Sequence, residues 1–188
     1  MSRFILASNS PRRRQLLEML GIEYEVITSG VEEVIDPELS EEDLVMDLAF
    51  QKAVDIFRSH KEDVVLGFDT MVYIDGEALG KPKDPEDAKR MLRLLSGKKH
   101  TVVTGCAILT KKISKSFFEA SEVTFFPMTE TEIDAYVASK EPFDKAGAYA
   151  VQGLGSKFVK AIHGDFYTVM GLPVSRLYHE LKNLDLLH

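Results

Sequence analysis

Ala7-Ser8-Asn9-Ser10-Pro11-Arg12-Arg13 sets two hydroxyls and adjacent guanidinium groups where a short apolar run, residues 4–7, gives way to a helical pattern. Ser10 is a favoured N-cap residue and Pro11 suits the first helical position. Backbone N–H groups at such a helix start, the Ser8 and Ser10 hydroxyls and the Arg12 and Arg13 forks can together hold several phosphate oxygens. Arg12, Arg13 and Arg14 crowd the positive end of the helix dipole, so a bound anion would offset a misplaced charge. The plainer alternative is a capped surface helix with solvated arginines.

Asp69 follows the apolar run 64–68, which places its carboxylate at the end of a central strand, where ligands of α/β sheets bind. Thr70 stands beside it. An aspartate that merely closes an Asx turn is the structural alternative. Glu32 and Glu33 can complete a carboxylate set with Asp69 for Mg²⁺, a hard cation that prefers oxygen ligands and phosphates, although solvated loop acids look the same in sequence. Lys81 and Lys83 follow Leu79-Gly80, and Lys52 sits beside the apolar stripe of a second helix, where it either snorkels outward or reaches a phosphate. No Gly-x-x-x-x-Gly-Lys-Ser/Thr loop occurs, and Gly153-Leu154-Gly155 is too short for a dinucleotide fingerprint. Residues 144–153 form a small-residue stretch of the kind that allows close backbone approach to a ligand or simply a tight loop. Its Gln152 can both donate and accept, as reading a base edge requires.

The elements that must position these groups are legible in outline. Residues 4–7 predict a first strand, a helix capped by Ser10 runs to Leu20 and stops at Gly21, and residues 24–27 predict a second strand. Ser40 caps a helix to about Ser59. Residues 64–68 read as a central strand and 71–79 as a hairpin around Asp75-Gly76. Asp84-Pro85 opens a helix ended by Gly97, and two long strands follow over about 100–110 and 116–126. Thr129 to Glu132 is a capping box for a helix through Ser139. Strands near 158–162 and 166–169 precede a last helix from Pro173. This mixed order predicts one α/β domain over 1–188 whose sheet includes antiparallel pairs.

Composition narrows the function. The 188 residues carry 23 Lys and Arg against 30 Asp and Glu, a formal charge of −7 that opposes nucleic acid as a partner. Cys106 is the single cysteine, which excludes an intrachain disulfide and a Cys-rich zinc site, and the five histidines are scattered without ligand spacing. Cys106, in the apolar stretch 101–109, is expected in the core. No stretch approaches the ~18 apolar residues of a membrane span, and residues 1–5 run straight into strand-like sequence without a leader. The expectation is a cytoplasmic protein without a membrane partner.

Seven segments in order resemble the Maf-type nucleoside triphosphate pyrophosphatases, also described as septum-formation inhibitors, over nearly the whole chain. They are Leu6-Ala7-Ser8-Asn9-Ser10-Pro11-Arg12-Arg13, Gly67-Phe68-Asp69-Thr70, Leu79-Gly80-Lys81-Pro82, Leu95-Ser96-Gly97, His100-Thr101-Val102-Val103-Thr104-Gly105, Asp144-Lys145-Ala146-Gly147-Ala148-Tyr149 and Gly171-Leu172-Pro173. Phe68 departs from the family, which more often has Ala there. The resemblance implies an α/β/α arrangement around a bent mixed sheet, with two lobes and a cleft, similar to inosine triphosphate pyrophosphatase. It implies hydrolysis of a nucleoside triphosphate to the monophosphate and pyrophosphate with Mg²⁺ or Mn²⁺. Asp69 matches the family's proton acceptor; Arg13, Glu33, Lys52 and Lys81 match further active-site positions. Arg12, Thr70 and Gln152 match positions of substrate choice, and glutamine at the last of these is the pattern of the branch acting on dTTP and UTP.

Phosphoryl-type displacement asks a protein for positioning and charge neutralisation, which Arg13, Lys52 and Lys81 can supply. Aspartates are weak bases at neutral pH, so general base and metal ligand both stay open for Asp69, with Glu33 as the second metal carboxylate. The rival reading is a nucleotide-sensing regulator of cell division that acts by binding. It needs the same cations but gains nothing from Asp69 and Glu33 facing a polyanion. Assembly is left open, a homodimer included.

Overall fold

The computed structural model describes residues 3–187. Its elements, in chain order, are β1 (Phe4–Leu6), α1 (Pro11–Glu18), β2 (Tyr24–Val26), α2 (Glu41–Phe57), β3 (Val64–Ile74), β4 (Glu77–Leu79), α3 (Pro85–Leu95), β5 (Lys99–Leu109), β6 (Ser114–Phe125), α4 (Glu130–Ala138), β7 (Val159–His163), α5 (Phe166–Met170) and α6 (Val174–Asn183), with short 3₁₀ turns between α4 and β7. Among the described residues the strands form a seven-stranded mixed sheet in the order β2-β1-β3-β5-β6-β7, with β4 paired to β3. β1 pairs in parallel with β2 and with the first residues of β3. β3 and β4, and β6 and β7, are antiparallel. The α/β class with antiparallel pairs is thus observed.

The chain divides into two compact units: Met1–Asp69, Thr104–Glu119 and Gly171–His188 form one, Thr70–Val103 and Ala120–Met170 the other. In the first, Ile5, Val65, Ala107 and Leu109 of the strands, with Ala7 just past β1, pack with Ala49, Ala53 and Ile56 of α2. The small residues on both sides are a geometric necessity. A Cβ at Gly67 of β3 would lie 2.2 Å from the Ala49 carbonyl oxygen, and one at Gly105 of β5 would lie 2.2 Å from that of Val45. α2 therefore rests directly on the sheet, which brings its side chains close to β3.

The second unit is held by its caps and by aromatic packing. Asp84 accepts from the Asp87 N–H at the start of α3, and Thr129 and Glu132 close the predicted capping box of α4. The Asp75-Gly76 turn has φ of 51° and 80°, the left-handed pair that a two-residue hairpin demands. His100, Phe125 and Tyr149 form a buried trio of edge-to-face rings with centroids 4.7–5.4 Å apart.

Several expectations need correction. β3 does not stop at Phe68: Asp69 and Thr70 continue it without a break into the hairpin, because the Asp69 charge is compensated in place rather than escaping to a loop. Residues 166–170 are helix, not strand. Asp165 caps them by accepting from the Thr168 N–H at 2.7 Å and the Thr168 hydroxyl at 2.8 Å, a local signal stronger than the β propensity of Phe166 and Tyr167. α1 ends at Glu18, two residues before Leu20, in turns that lead to Gly21 at φ 65°.

Candidate active site

Side-chain alternation on β3 sorts the central residues. Gly67 and Asp69 share the face against α2, and Phe68 points the other way. Lys52 projects from α2 between Ala49 and Ala53, the residues whose closeness to Gly67 sets the helix height. The Lys52 ammonium accordingly donates to Asp69 Oδ1 and also pairs with Glu33 Oε1 at 3.0 Å. Asp69 is 8% exposed, so its carboxylate sits inside the protein with a cation as its compensation.

Glu33 belongs to the loop between β2 and α2, which is tied down beside it. Gln51 of α2 accepts from the Val34 N–H at 2.9 Å and donates to the Val34 carbonyl at 2.8 Å, and Ser29 donates to Asp55 at 2.8 Å. The loop's place against α2 thus follows from side chains one helical turn apart, Gln51 and Asp55. Glu32 has no such role in the geometry.

On the opposite face, Arg13 fills the space over Phe68, its guanidinium 6.0 Å from the ring centroid. Its Nε donates to the Gly171 carbonyl at 2.9 Å and its Nη1 to Ser8 Oγ at 3.2 Å. The Ser10 N–H also points at Ser8 Oγ, at 3.3 Å, while Ser10 Oγ caps α1 by accepting from the Arg13 N–H. Burial pulls the Arg13 guanidinium below its ordinary value, and Asp69 and Glu33 oppose that pull; the group stays cationic. The buried strand end, the cap and the arginine therefore gather N–H donors at the point the sequence marks for an anion.

Within the first unit the structure brings together Ser8, Ser10, Arg13, Glu33, Lys52 and Asp69. Arg12 lies one residue away on α1. Thr70, Lys81 and Gln152 belong to the second unit. There Lys81 is exposed, following Gly80, whose carbonyl accepts from the Gly147 N–H at 3.0 Å. Gln152 is exposed on the segment between Tyr149 and Gly155. Sequence reasoning left Gly171 without a role, although its carbonyl orients Arg13; only its position inside a matched motif hinted at one. Cys106 is fully buried, and burial pushes its thiol well up, which leaves it a core residue as expected. Among the described residues no group of three or more His, Cys, Asp or Glu side chains is arranged around a common metal position, and no helix is long and apolar enough to cross a membrane.

The arrangement is similar in fold to the Ham1 protein of Staphylococcus aureus, with a TM-score of 0.54 over 97% of this chain and 100% of that one, and to a HAM1 protein from Coxiella burnetii, with a TM-score of 0.53 and the same coverage. Identities of 14% and 16% limit that likeness to architecture. The class is thus an α/β protein of Ham1-like fold that carries a lysine-bridged carboxylate pair and a partly buried arginine. Residues 3–184 match the family model for Maf-like proteins. The dTTP/UTP pyrophosphatase of Bacillus cytotoxicus is 54% identical over 98% of this chain and 97% of its own length, and that of Bacillus cereus is 54% identical over the whole of both. The chain belongs to the Maf family.

Proposed function

We propose that the protein hydrolyses dTTP and UTP between the α and β phosphates, releasing the nucleoside monophosphate and pyrophosphate. The observation that carries this reading is the Asp69–Lys52–Glu33 cluster, with the Arg13 charge in electrostatic reach of both carboxylates from the other face of β3. The names borne by relatives at 54% identity support the substrate class.

Asp69 is the central group: it orients the attacking water and takes its proton. Lys52 holds that carboxylate and offers a positive charge to a phosphate oxygen, and Arg13 neutralises charge that grows on departing pyrophosphate. Ser8 and Ser10 complete the donor set at the start of α1. Lys81 is assigned a further phosphate contact, and Arg12, Thr70 and Gln152 roles in substrate choice, on their motif positions.

The donor set also suits Mg²⁺ or Mn²⁺. Asp69 and Glu33 already direct carboxylate oxygens to one cation, and Mg²⁺ is commonly held by one or two carboxylates together with substrate phosphates. These two residues would hold the metal, which when bound supplies charge neutralisation to the phosphates.

A panel of UTP, dTTP, CTP, ATP and GTP with Mg²⁺, followed by pyrophosphate release, tests the proposal. UTP and dTTP are expected to give the highest kcat/KM. Equal values across the panel would contradict the assignment of Gln152, and no pyrophosphate from any of them would contradict the activity.

A further inference from the structure

The segment that carries Gln152 is anchored on both sides by polar groups from a single neighbourhood. Tyr136, on α4, is 2% exposed, and its ring is fixed edge-to-face on Phe158 with centroids 5.3 Å apart. Its hydroxyl accepts from the Ala150 N–H at 3.0 Å and lies beside the Glu141 carboxylate. Glu141 Oε1 in turn accepts from the Leu154 N–H at 2.9 Å, and Oε2 from the Gly155 N–H at 3.0 Å. Backbone donors two residues before Gln152 and two and three residues after it therefore end on one Tyr–Glu pair.

The glycines are cut to fit that pair. A Cβ at Gly153, whose φ is 122°, would meet Glu141 Oε1 at 2.1 Å, and a Cβ at Gly155 would meet the Tyr136 hydroxyl at 2.6 Å. Lys145 donates to the Glu141 carbonyl at 2.7 Å, and Tyr149 is pinned by a 2.8 Å bond between its hydroxyl and His100 Nε2. Burial pushes the Glu141 carboxyl up, but the Tyr136 hydroxyl, the two backbone donors and Lys145 outweigh it and hold the group below its usual range. It is an anion, and its bonds to the loop are of the stronger, charge-assisted kind.

We propose that Tyr136 and Glu141 are positioning residues for nucleobase selection, holding the backbone on both sides of Gln152 so that its amide meets a uracil or thymine edge in one fixed place. The inference rests on the reading that Gln152 contacts the base. An amide carries one donor face and one acceptor face, and cytosine presents the reverse order of groups to uracil. A loose segment lets the amide shift and turn to suit either base. A fixed one leaves a polar group unpaired when the wrong base arrives, and that mismatch is what discriminates.

The test measures kcat and KM for UTP and CTP in Glu141→Gln, Tyr136→Phe, Gln152→Ala and the Glu141→Gln/Gln152→Ala double variant, together with melting temperature. The first two are near-isosteric, and a UTP:CTP ratio taken on one preparation is insensitive to its folded fraction. Glu141→Gln is expected to lower the kcat/KM ratio about tenfold, chiefly through KM for UTP, and Tyr136→Phe to lower it several-fold, with kcat on saturating UTP within about twofold of wild type. The double variant should match Gln152→Ala alone, because residues acting through one another are not additive. If Gln152→Ala collapses the ratio while Glu141→Gln and Tyr136→Phe leave it intact and lose only thermal stability, the positioning role is wrong and the base reading survives. If Gln152→Ala leaves the ratio unchanged, the base reading itself falls and the inference with it.

Discussion

The surroundings of Asp69 and those of Gln152 solve the same problem, holding a polar group in place, by different means. Around Asp69 the protein uses formal charges: Lys52 between Asp69 and Glu33, with Arg13 on the other face of β3. Around Gln152 it uses backbone N–H groups drawn to one buried Tyr–Glu pair, with Gln152 itself left exposed. The first arrangement is suited to a ligand whose charge is large and fixed, since charge can exchange partners as it arrives. The second is suited to a ligand whose recognition depends on place, since hydrogen bonds from backbone leave little freedom to the side chain they frame.

The largest effect expected from this contrast is at Asp69. Asp69→Asn removes charge with little change in volume, and should lower kcat by a factor of about 100 to 10,000, the usual span for a lost general base. That is roughly 3 to 5 kcal/mol of barrier, with triphosphate binding still measurable by calorimetry. Retention of more than about a tenth of kcat, a loss below ~1.4 kcal/mol, would remove Asp69 from the centre of the mechanism.

Acid should act through the other region. His100 is 3% exposed, its Nδ1 meets no hydrogen-bond partner among the described residues, and burial pulls its imidazole down from 6.5 to about 4. The unfolded chain takes up this proton near pH 6.5, whereas the folded protein resists it until about pH 4. The associated stability is therefore complete above pH 6.5, falls as the pH drops, and is gone below about pH 4, a loss of about 3 kcal/mol. Denaturant unfolding of wild type and His100→Gln from pH 7 to 4 measures it: wild type should lose about 3 kcal/mol more than the variant over that range, and parallel curves would show that His100 contributes nothing to acid lability.

A smaller change should couple stability to the charged cluster. Gly67→Ala puts a Cβ where the Ala49 carbonyl lies, forces α2 off the sheet and should cost about 2 to 3 kcal/mol, in the range of overpacked cores. Because the same helix carries Lys52, kcat/KM should fall as well. A stable, fully active Gly67→Ala variant would mean that the height of α2 over β3 does not set the Lys52–Asp69 contact.

The charged cluster was largely legible in sequence because its members declare themselves by type. A cap followed by arginines, a carboxylate after an apolar run and a lysine beside an apolar stripe each suggest a site, beside a plainer structural reading that only their agreement with the family's motifs sets aside. What joined them was not legible: Gly67 and Gly105 allow the close packing of α2, yet nothing local says which helix lies over them. In the Gln152 segment the amide is legible as a base reader, but what frames it is not, since Tyr136 and Glu141 are ordinary residues 16 and 11 positions away whose role exists only once Ala150, Leu154 and Gly155 fold back onto them. Of the elements, α2, α3 and α4 were placed by their caps. The helix at 166–170 is hidden in sequence because its cap, Asp165, precedes residues of strand-like type, and the continuity of β3 because a polar pair inside a strand resembles its end.

Phosphorus NMR during turnover of dTTP with Mg²⁺ tests the central claim, that the cluster around Asp69 cleaves between the α and β phosphates. The spectrum is expected to lose the three triphosphate resonances and gain those of dTMP and pyrophosphate in equal amounts, with Asp69→Asn slowing the change by at least about a hundredfold. Resonances of dTDP and orthophosphate appearing first would contradict it.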